Sequence, residues 1–257
     1  ILIVEGNDLK NNEFFIKAAK ASCSENLKNL VLKLEPNSKI KIINPARDNE
    51  TKNALDNIKN YHGIIFTGGA MRLNDMTEEI KKHINFASNC FKYENKILAI
   101  CWGLQICSVA AGGKVSQGKN GAHIGIASDI EINEEGKKNL IYKNKKLQFT
   151  SPAFNYDEVC EMPPGATLLS SDKVNKVMGL YFLSGKSQIW GLQYHPDYEY
   201  WQMVNLSNGR KDRILKNKHF NSENEFQNHI EYIKEEEKKL DFDNRTREVR
   251  NWLDNLN

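Results

Sequence analysis

The chain has 257 residues, 40% of them hydrophobic and 27% charged, with a formal net charge of +3. Those values belong to an ordinary globular protein, long enough for one large α/β domain or for a domain of roughly 200 residues with an appendage. They argue against a nucleic-acid surface, since no Lys/Arg block is long enough to form one, and against a membrane span, since no apolar run approaches the ~20 residues needed.

The first predicted strand is the apolar run Ile1–Val4. A chain that opens on Ile1 is expected to have had a short lead trimmed or disordered, and its start lacks the residue order of a signal peptide. Further buried strands are expected at Ile40–Ile43, Ile64–Phe66 and Ile97–Ile100, each bounded by polar or Gly residues. Between the last two, Asp75-Met76-Thr77-Glu78 reads as a capping box with Asp75 as N-cap. Ile80, Ile84, Ala87 and Phe91 then step along one helical face. Strand, helix and strand in succession predict an α/β fold with a mainly parallel open sheet flanked by helices.

From about Gly112 the pattern changes to strand and turn, with strands expected at Ile124–Ile132, Val177–Phe182 and Gln188–Tyr194. Pro163-Pro164-Gly165 marks a turn. Ser184-Gly185-Lys186-Ser187 has a superficial likeness to a phosphate loop, but it lies between two strands and reads as a hairpin turn.

Residues 205–257 carry 11 Lys+Arg and 11 Asp+Glu, so this helical extension is neutral and the surplus charge belongs to residues 1–204. It holds two apolar stripes, Phe226/Ile230/Ile233 and Val249/Trp252/Leu253/Leu256, which are expected to pack on the body of the same chain.

The five cysteines, Cys23, Cys90, Cys101, Cys107 and Cys160, form no C-x-x-C pair. Neither a zinc site nor a disulfide framework is expected, and free thiols fit a reducing, cytoplasmic setting. One of the five has a distinctive context. In Ile97-Leu98-Ala99-Ile100-Cys101-Trp102-Gly103-Leu104-Gln105 an apolar strand runs into Cys101, with a Gly two residues later and a helical segment beyond. A cysteine on such a strand-to-helix turn is presented at the end of the sheet. The helix N-terminus behind it favours a thiolate and offers N–H groups to a developing anion. Cys107 lacks this context and reads as core.

A second signal is Gly191-Leu192-Gln193-Tyr194-His195-Pro196-Asp197. His195 ends an apolar strand, Pro196 restricts the backbone exit, and Asp197 is spaced to accept from Nδ1 and leave Nε2 for the thiol.

Together C-W-G-L-Q and G-L-Q-Y-H-P-D resemble the class I (triad) glutamine amidotransferase family, whose motifs read C-x-G-x-Q and G-x-Q-x-H-P-E. Thr67-Gly68-Gly69-Ala70 is similar to the family's Gly-Gly loop, and the likeness, nearest to stand-alone chains that look like the amidotransferase half of GMP synthetase, covers about residues 1–204. The resemblance implies a flavodoxin-like fold with Cys101 as nucleophile, His195 as base and Asp197 as third member. It implies an oxyanion hole from the N–H groups of Gly69 and Trp102, and substrate contacts from Gly68, Gln105 and Gly125. Asp197 stands where the family has Glu, which leaves Glu199 as a rival partner for His195. The family's S-H-x-D-x-V segment is here Ser151-Pro152-Ala153-Phe154-Asn155-Tyr156-Asp157-Glu158-Val159, without a His, so the pocket rim is expected to differ.

The implied reaction is hydrolysis of the side-chain amide of glutamine through a Cys101 thioester. It needs neither metal nor organic cofactor, and it yields ammonia for a separate synthetase subunit. Two other readings stay open at this point: a γ-glutamyl hydrolase acting on a γ-glutamyl amine or peptide, and a catalytically silent binding or regulatory protein on the same scaffold.

Overall fold

The computed structural model describes residues 1–46 and 48–256. Its first half is strand–helix repeats: β1 (Leu2–Val4), α1 (Leu9–Ala19), α2 (Cys23–Leu34), β2 (Lys41–Ile43), α3 (Asp48–Asp56), β3 (Ile64–Phe66), α4 (Glu78–Cys90), β4 (Lys96–Ile100) and α5 (Trp102–Ala110). A strand-rich stretch follows, with β5 (Lys114–Gln117), β6 (His123–Ile132), α6 (Glu134–Lys138), β7 (Gln148–Asn155), β8 (Asp157–Glu161), β9 (Thr167–Ser171), β10 (Gly179–Ser184) and β11 (Ser187–Leu192). The chain closes on helices α7 (Tyr200–Gly209), α8 (Lys211–Lys216), α9 (Glu223–Lys238), α10 (Phe242–Arg245) and α11 (Arg247–Asp254). No helix among the described residues is long and apolar enough to cross a membrane.

The main sheet has the order β2-β1-β3-β4-β11-β10-β9-β6-β7, and β5 pairs with β8 apart from it. The pairings from β2 through β11 are parallel, and those from β11 to β7 are antiparallel. Apart from β2 at the edge, the parallel strands are largely buried on both faces, which explains why they read as continuous apolar runs without alternation. Their C-terminal ends lie together, so Gly6, Thr67–Ala70, Cys101 and Gln193–His195 emerge on one rim of the sheet.

The cap of α4 differs from expectation. Met76 takes a left-handed conformation (φ 45°) and ends a short 3-10 turn that contains Asp75. The helix restarts behind it with Thr77 as N-cap, whose hydroxyl accepts from Ile80 N–H. Lys186 and its neighbours form the hairpin turn between β10 and β11.

Helix α7 runs unbroken through residues 204 and 205, where the composition changes. Beyond it both apolar stripes are covered. Phe226, Ile230 and Ile233 pack with Ile124 and Ile126 of β6. Val249, Trp252 and Leu253 join the cluster containing Ile3, Leu98 and Trp190 under the parallel sheet. Below the sheet, Glu248 is fully buried and takes up Lys145 Nζ at 3.0 Å and the Tyr194 hydroxyl at 2.5 Å. A buried charge pair of this kind is tolerated only when both partners are saturated with hydrogen bonds.

Candidate active site

Cys101 is the turn between β4 and α5, with φ 51° and ψ −107°. A non-Gly residue seldom holds positive φ, and the strain is stored where the surroundings enforce it. Here the Cys101 N–H donates to Leu192 O at 2.6 Å, extending the β4–β11 ladder into the turn. Gly103 sits against β3 so closely that a Cβ would come 2.4 Å from Phe66 O, which brings the first turn of α5 onto the strand. The thiol is almost wholly buried. Gln193 Nε2 donates to Sγ at 3.4 Å, and Phe154 O lies 3.8 Å from it.

His195 is placed by its N–H, which donates to Pro152 O at 2.7 Å, and by Gly68, which abuts the Cε1 edge of its ring. Its Nδ1 pairs with Asp197 Oδ1 at 3.2 Å, leaving Nε2 free for the thiol side. Burial pulls the imidazole pKa down most strongly. The charges of Cys101 and Asp197, with their hydrogen bonds, outweigh it and push the pKa up to about 10. The ring therefore carries a proton at neutral pH and can surrender it to a leaving group.

Asp197 is held by residues remote in sequence. Asn26 Nδ2 donates to its carbonyl at 2.6 Å, and the buried guanidinium of Arg245 donates to Pro196 O and Tyr198 O at 2.8 and 2.7 Å. Glu199 points elsewhere, since its carboxylate accepts from Trp201 Nε1 at 2.8 Å. Of the two acids in reach along the chain, only Asp197 meets His195.

Beside Cys101 opens a cavity of about 290 Å³. Gly69, Trp102 and Gln105 line it, with Phe154–Asp157 along the rim. Among the described residues no protein group accepts from Gly69 N–H, and the Trp102 N–H is an orphan donor of the first helical turn. Both are available to an oxyanion. The Gly68–Gly69 loop is held by Asn7, whose Oδ1 accepts from Ala70 N–H at 2.7 Å, and Asn7 in turn accepts from Asn44 Nδ2 through its carbonyl at 2.8 Å. Gln105 Nε2 is already committed to Asp157 O at 2.8 Å and Gln193 Oε1 at 3.3 Å, so Gln105 braces the rim.

Two residues expected to touch substrate lie elsewhere. Gly68 serves as the platform for His195 instead of lining the cavity. Gly125 (φ 85°) is packed away from the cavity, where a Cβ would lie 2.8 Å from Ile233 Cδ1 and 3.1 Å from Ser207 Oγ. It lets β6 meet α7 and α9, and those C-terminal helices cover the segment that the family likeness assigned to substrate. Conversely, Asn7, Lys10, Arg210, Arg213 and Arg245 were assigned no role from sequence, and Gln193 lay inside the His195 motif without a role of its own. Among the described residues no three His, Cys, Asp or Glu side chains converge as a metal site.

A strained cysteine elbow, a His–Asp pair and free backbone donors, gathered at the C-terminal rim of a parallel sheet, define a cysteine amidohydrolase of α/β type. The family model for glutamine amidotransferase class-I matches residues 16–203, and the chain belongs to that family. It is 24% identical to the γ-glutamyl-L-1-hydroxyisopropylamide hydrolase of a Pseudomonas species, over 100% of this chain and 92% of that protein. It is 28% identical to a subunit of the glutamine-hydrolysing GMP synthase of Methanococcus vannielii, over 60% of this chain and 70% of the archaeal one. Among solved structures, a glutamine amidotransferase from Thermotoga maritima superposes with a TM-score of 0.68 at 18% identity, covering 99% of this chain and 96% of the other.

Proposed function

We propose that the chain hydrolyses the amide bond at the γ-carboxyl of a glutamyl group, with Cys101 as nucleophile, His195 as acid and base, and Asp197 as its orienting partner. The observation that carries this reading is the positive-φ Cys101 at the strand end, on the same rim as a His195 whose Nδ1 is paired with Asp197.

In the first half-reaction the Cys101 sulfur attacks the γ-carbonyl carbon. The carbonyl oxygen takes the negative charge and is met by the N–H groups of Gly69 and Trp102, each such donor being worth roughly 3–4 kcal/mol of barrier. The C–N bond breaks as His195 gives its proton to the departing nitrogen, leaving a thioester. In the second half-reaction the now neutral His195 takes a proton from water. The hydroxide oxygen attacks the thioester carbon, the C–S bond breaks, and glutamate is released.

Glutamine is the simplest such amide, with ammonia as product. A separate synthetase chain is then the proposed acceptor, a reading supported by the likeness to the Methanococcus vannielii protein. Likeness over the whole chain to the Pseudomonas hydrolase supports an amine larger than ammonia as the leaving group. The test is turnover of glutamine and of a panel of γ-glutamyl amines and amino acids by the purified chain and by Cys101→Ala. The reading requires release of glutamate from at least one of them and its loss in the variant. Glutamate release by Cys101→Ala at a rate within a few-fold of the parent would refute it.

A further inference from the structure

The cavity beside Cys101 carries more positive charge than glutamine can use. Lys10, Arg72, Arg210 and Arg213 line it against a single carboxylate, Asp157, and that carboxylate is already paired with Arg72 at 3.0 Å. Among the described residues Lys10, Arg210 and Arg213 have no acidic partner. Glutamine brings one carboxylate and one ammonium and is neutral overall. A ligand that matches the cavity brings net negative charge.

Arg210 is the most informative of the four. Its guanidinium is held over the rings of Phe14 and Phe154, 4.8 Å from each centroid, and 5.3 Å from that of Phe15. Burial lowers its pKa, yet a guanidinium stays charged in any protein environment. Among the described residues no oxygen accepts from its donor fork. Arg245 shows the contrast: it is buried, and its Nη1 donates to two carbonyls. A half-buried, aromatic-clamped guanidinium with unspent donors suits a carboxylate brought by a ligand. Phe154 ties it to the chemistry, for the same residue that carries Arg210 on its ring has its carbonyl 3.8 Å from Cys101 Sγ.

Building on the γ-glutamyl hydrolase reading, we propose that Arg210 is a specificity determinant that binds a carboxylate on the leaving amine, so that the preferred substrates are γ-glutamyl amino acids or short γ-glutamyl peptides. Lys10 and Arg213 add charge at the mouth and steer such anions inward. The glutamyl half keeps its own carboxylate and ammonium on the rim formed by Asn155–Asp157. The leaving half reaches toward α1 and α8, which together supply Phe14, Lys10 and Arg213.

The experiment compares γ-glutamylglycine with γ-glutamylglycinamide, which have the same shape and differ in the one carboxylate. At low salt the parent enzyme is expected to show kcat/KM about tenfold or more higher for the acid, the span of one charge-assisted pair. Arg210→Met is expected to bring that ratio to within about threefold of one, and Arg210→Lys, which keeps charge but loses the fork, to an intermediate value. Binding of the two compounds to Cys101→Ala and to Cys101→Ala/Arg210→Met, measured by calorimetry, gives the same ratio without catalysis. It therefore decides the subsite even if neither compound is turned over, in which case the hydrolase reading fails separately. A parent ratio near one in binding and turnover overturns the proposal. So does an Arg210→Met variant, folded by circular dichroism, that weakens acid and amide equally, because the guanidinium would then serve the glutamyl carboxylate.

Discussion

The ring of His195 rests on the backbone of Gly68 so closely that a Cβ at that position would lie 2.5 Å from Cε1. Real Cβ contacts do not come so near, so Gly68→Ala must displace the imidazole or the loop. Misplacing a catalytic group by about 1 Å costs on the order of 10²-fold in rate. The expected result is a loss of that size in kcat/KM for any γ-glutamyl substrate, with Cys101 alkylated more slowly by iodoacetamide. If the variant keeps parental kinetics, His195 does not act from this position.

Asp197 and Glu199 are separated by the same experiment on two variants. Asp197→Asn removes the charge facing Nδ1 and is expected to lower kcat by about 10²-fold or more, as in triads whose acid is neutralised. Glu199→Gln is expected to stay within about threefold, because that carboxylate is occupied by Trp201. The pH dependence follows from His195. Its folded pKa, about 10, is raised above the ordinary 6.5. The stability it contributes is therefore complete below pH 6.5 and is lost as pH rises through about 10. Asp197→Asn should shift that loss to lower pH, read as the midpoint of urea unfolding across pH 6 to 10.

His83 has the opposite sign. Burial against Trp102 lowers its pKa to about 3, and neither ring nitrogen finds a partner. A group whose folded pKa is depressed supports the fold above its unfolded pKa. That support is lost as pH falls from 6.5 toward 3, by about 1.4 kcal/mol for each pH unit. His83→Phe should unfold less steeply on acidification than the parent between pH 6 and 4. Parallel stability curves for the two proteins would show that His83 takes up its proton without unfolding.

The extension is anchored by a buried pair. Lys145→Met leaves Glu248 charged and without its cation, which typically costs about 3–5 kcal/mol. Trp252→Ala empties a fully buried site over Gly63 at a similar cost of about 3–5 kcal/mol. Both are expected to lower Tm by several degrees in a single cooperative transition that includes the parallel sheet. A separate low-temperature transition confined to the extension would mean that the C-terminal helices fold independently of the body.

Contiguous stretches of sequence were enough to locate the parallel strands, the Cys101 turn, the His195-Pro196-Asp197 exit and the hairpin at Lys186. Each is encoded by a short run of residues: apolar continuity for a strand buried on both faces, a Gly two residues past a strand-end Cys, a Pro behind a His. Tertiary structure decided what those residues meet. Met76 shifted the α4 cap from Asp75 to Thr77 by taking a left-handed turn that its sequence does not announce. Gly125 went to helix packing because α7 and α9 fold back over β6. Asp197, not Glu199, meets His195 where Asn26 and Arg245, 171 and 48 residues away in the chain, bond to the carbonyls of residues 196–198. The cationic wall arises only when α1, β7 and α8 converge, since Phe14, Phe154 and Arg210 share no motif or periodicity. Local chemistry is written in adjacent residues, whereas a cavity is written in the packing of distant ones.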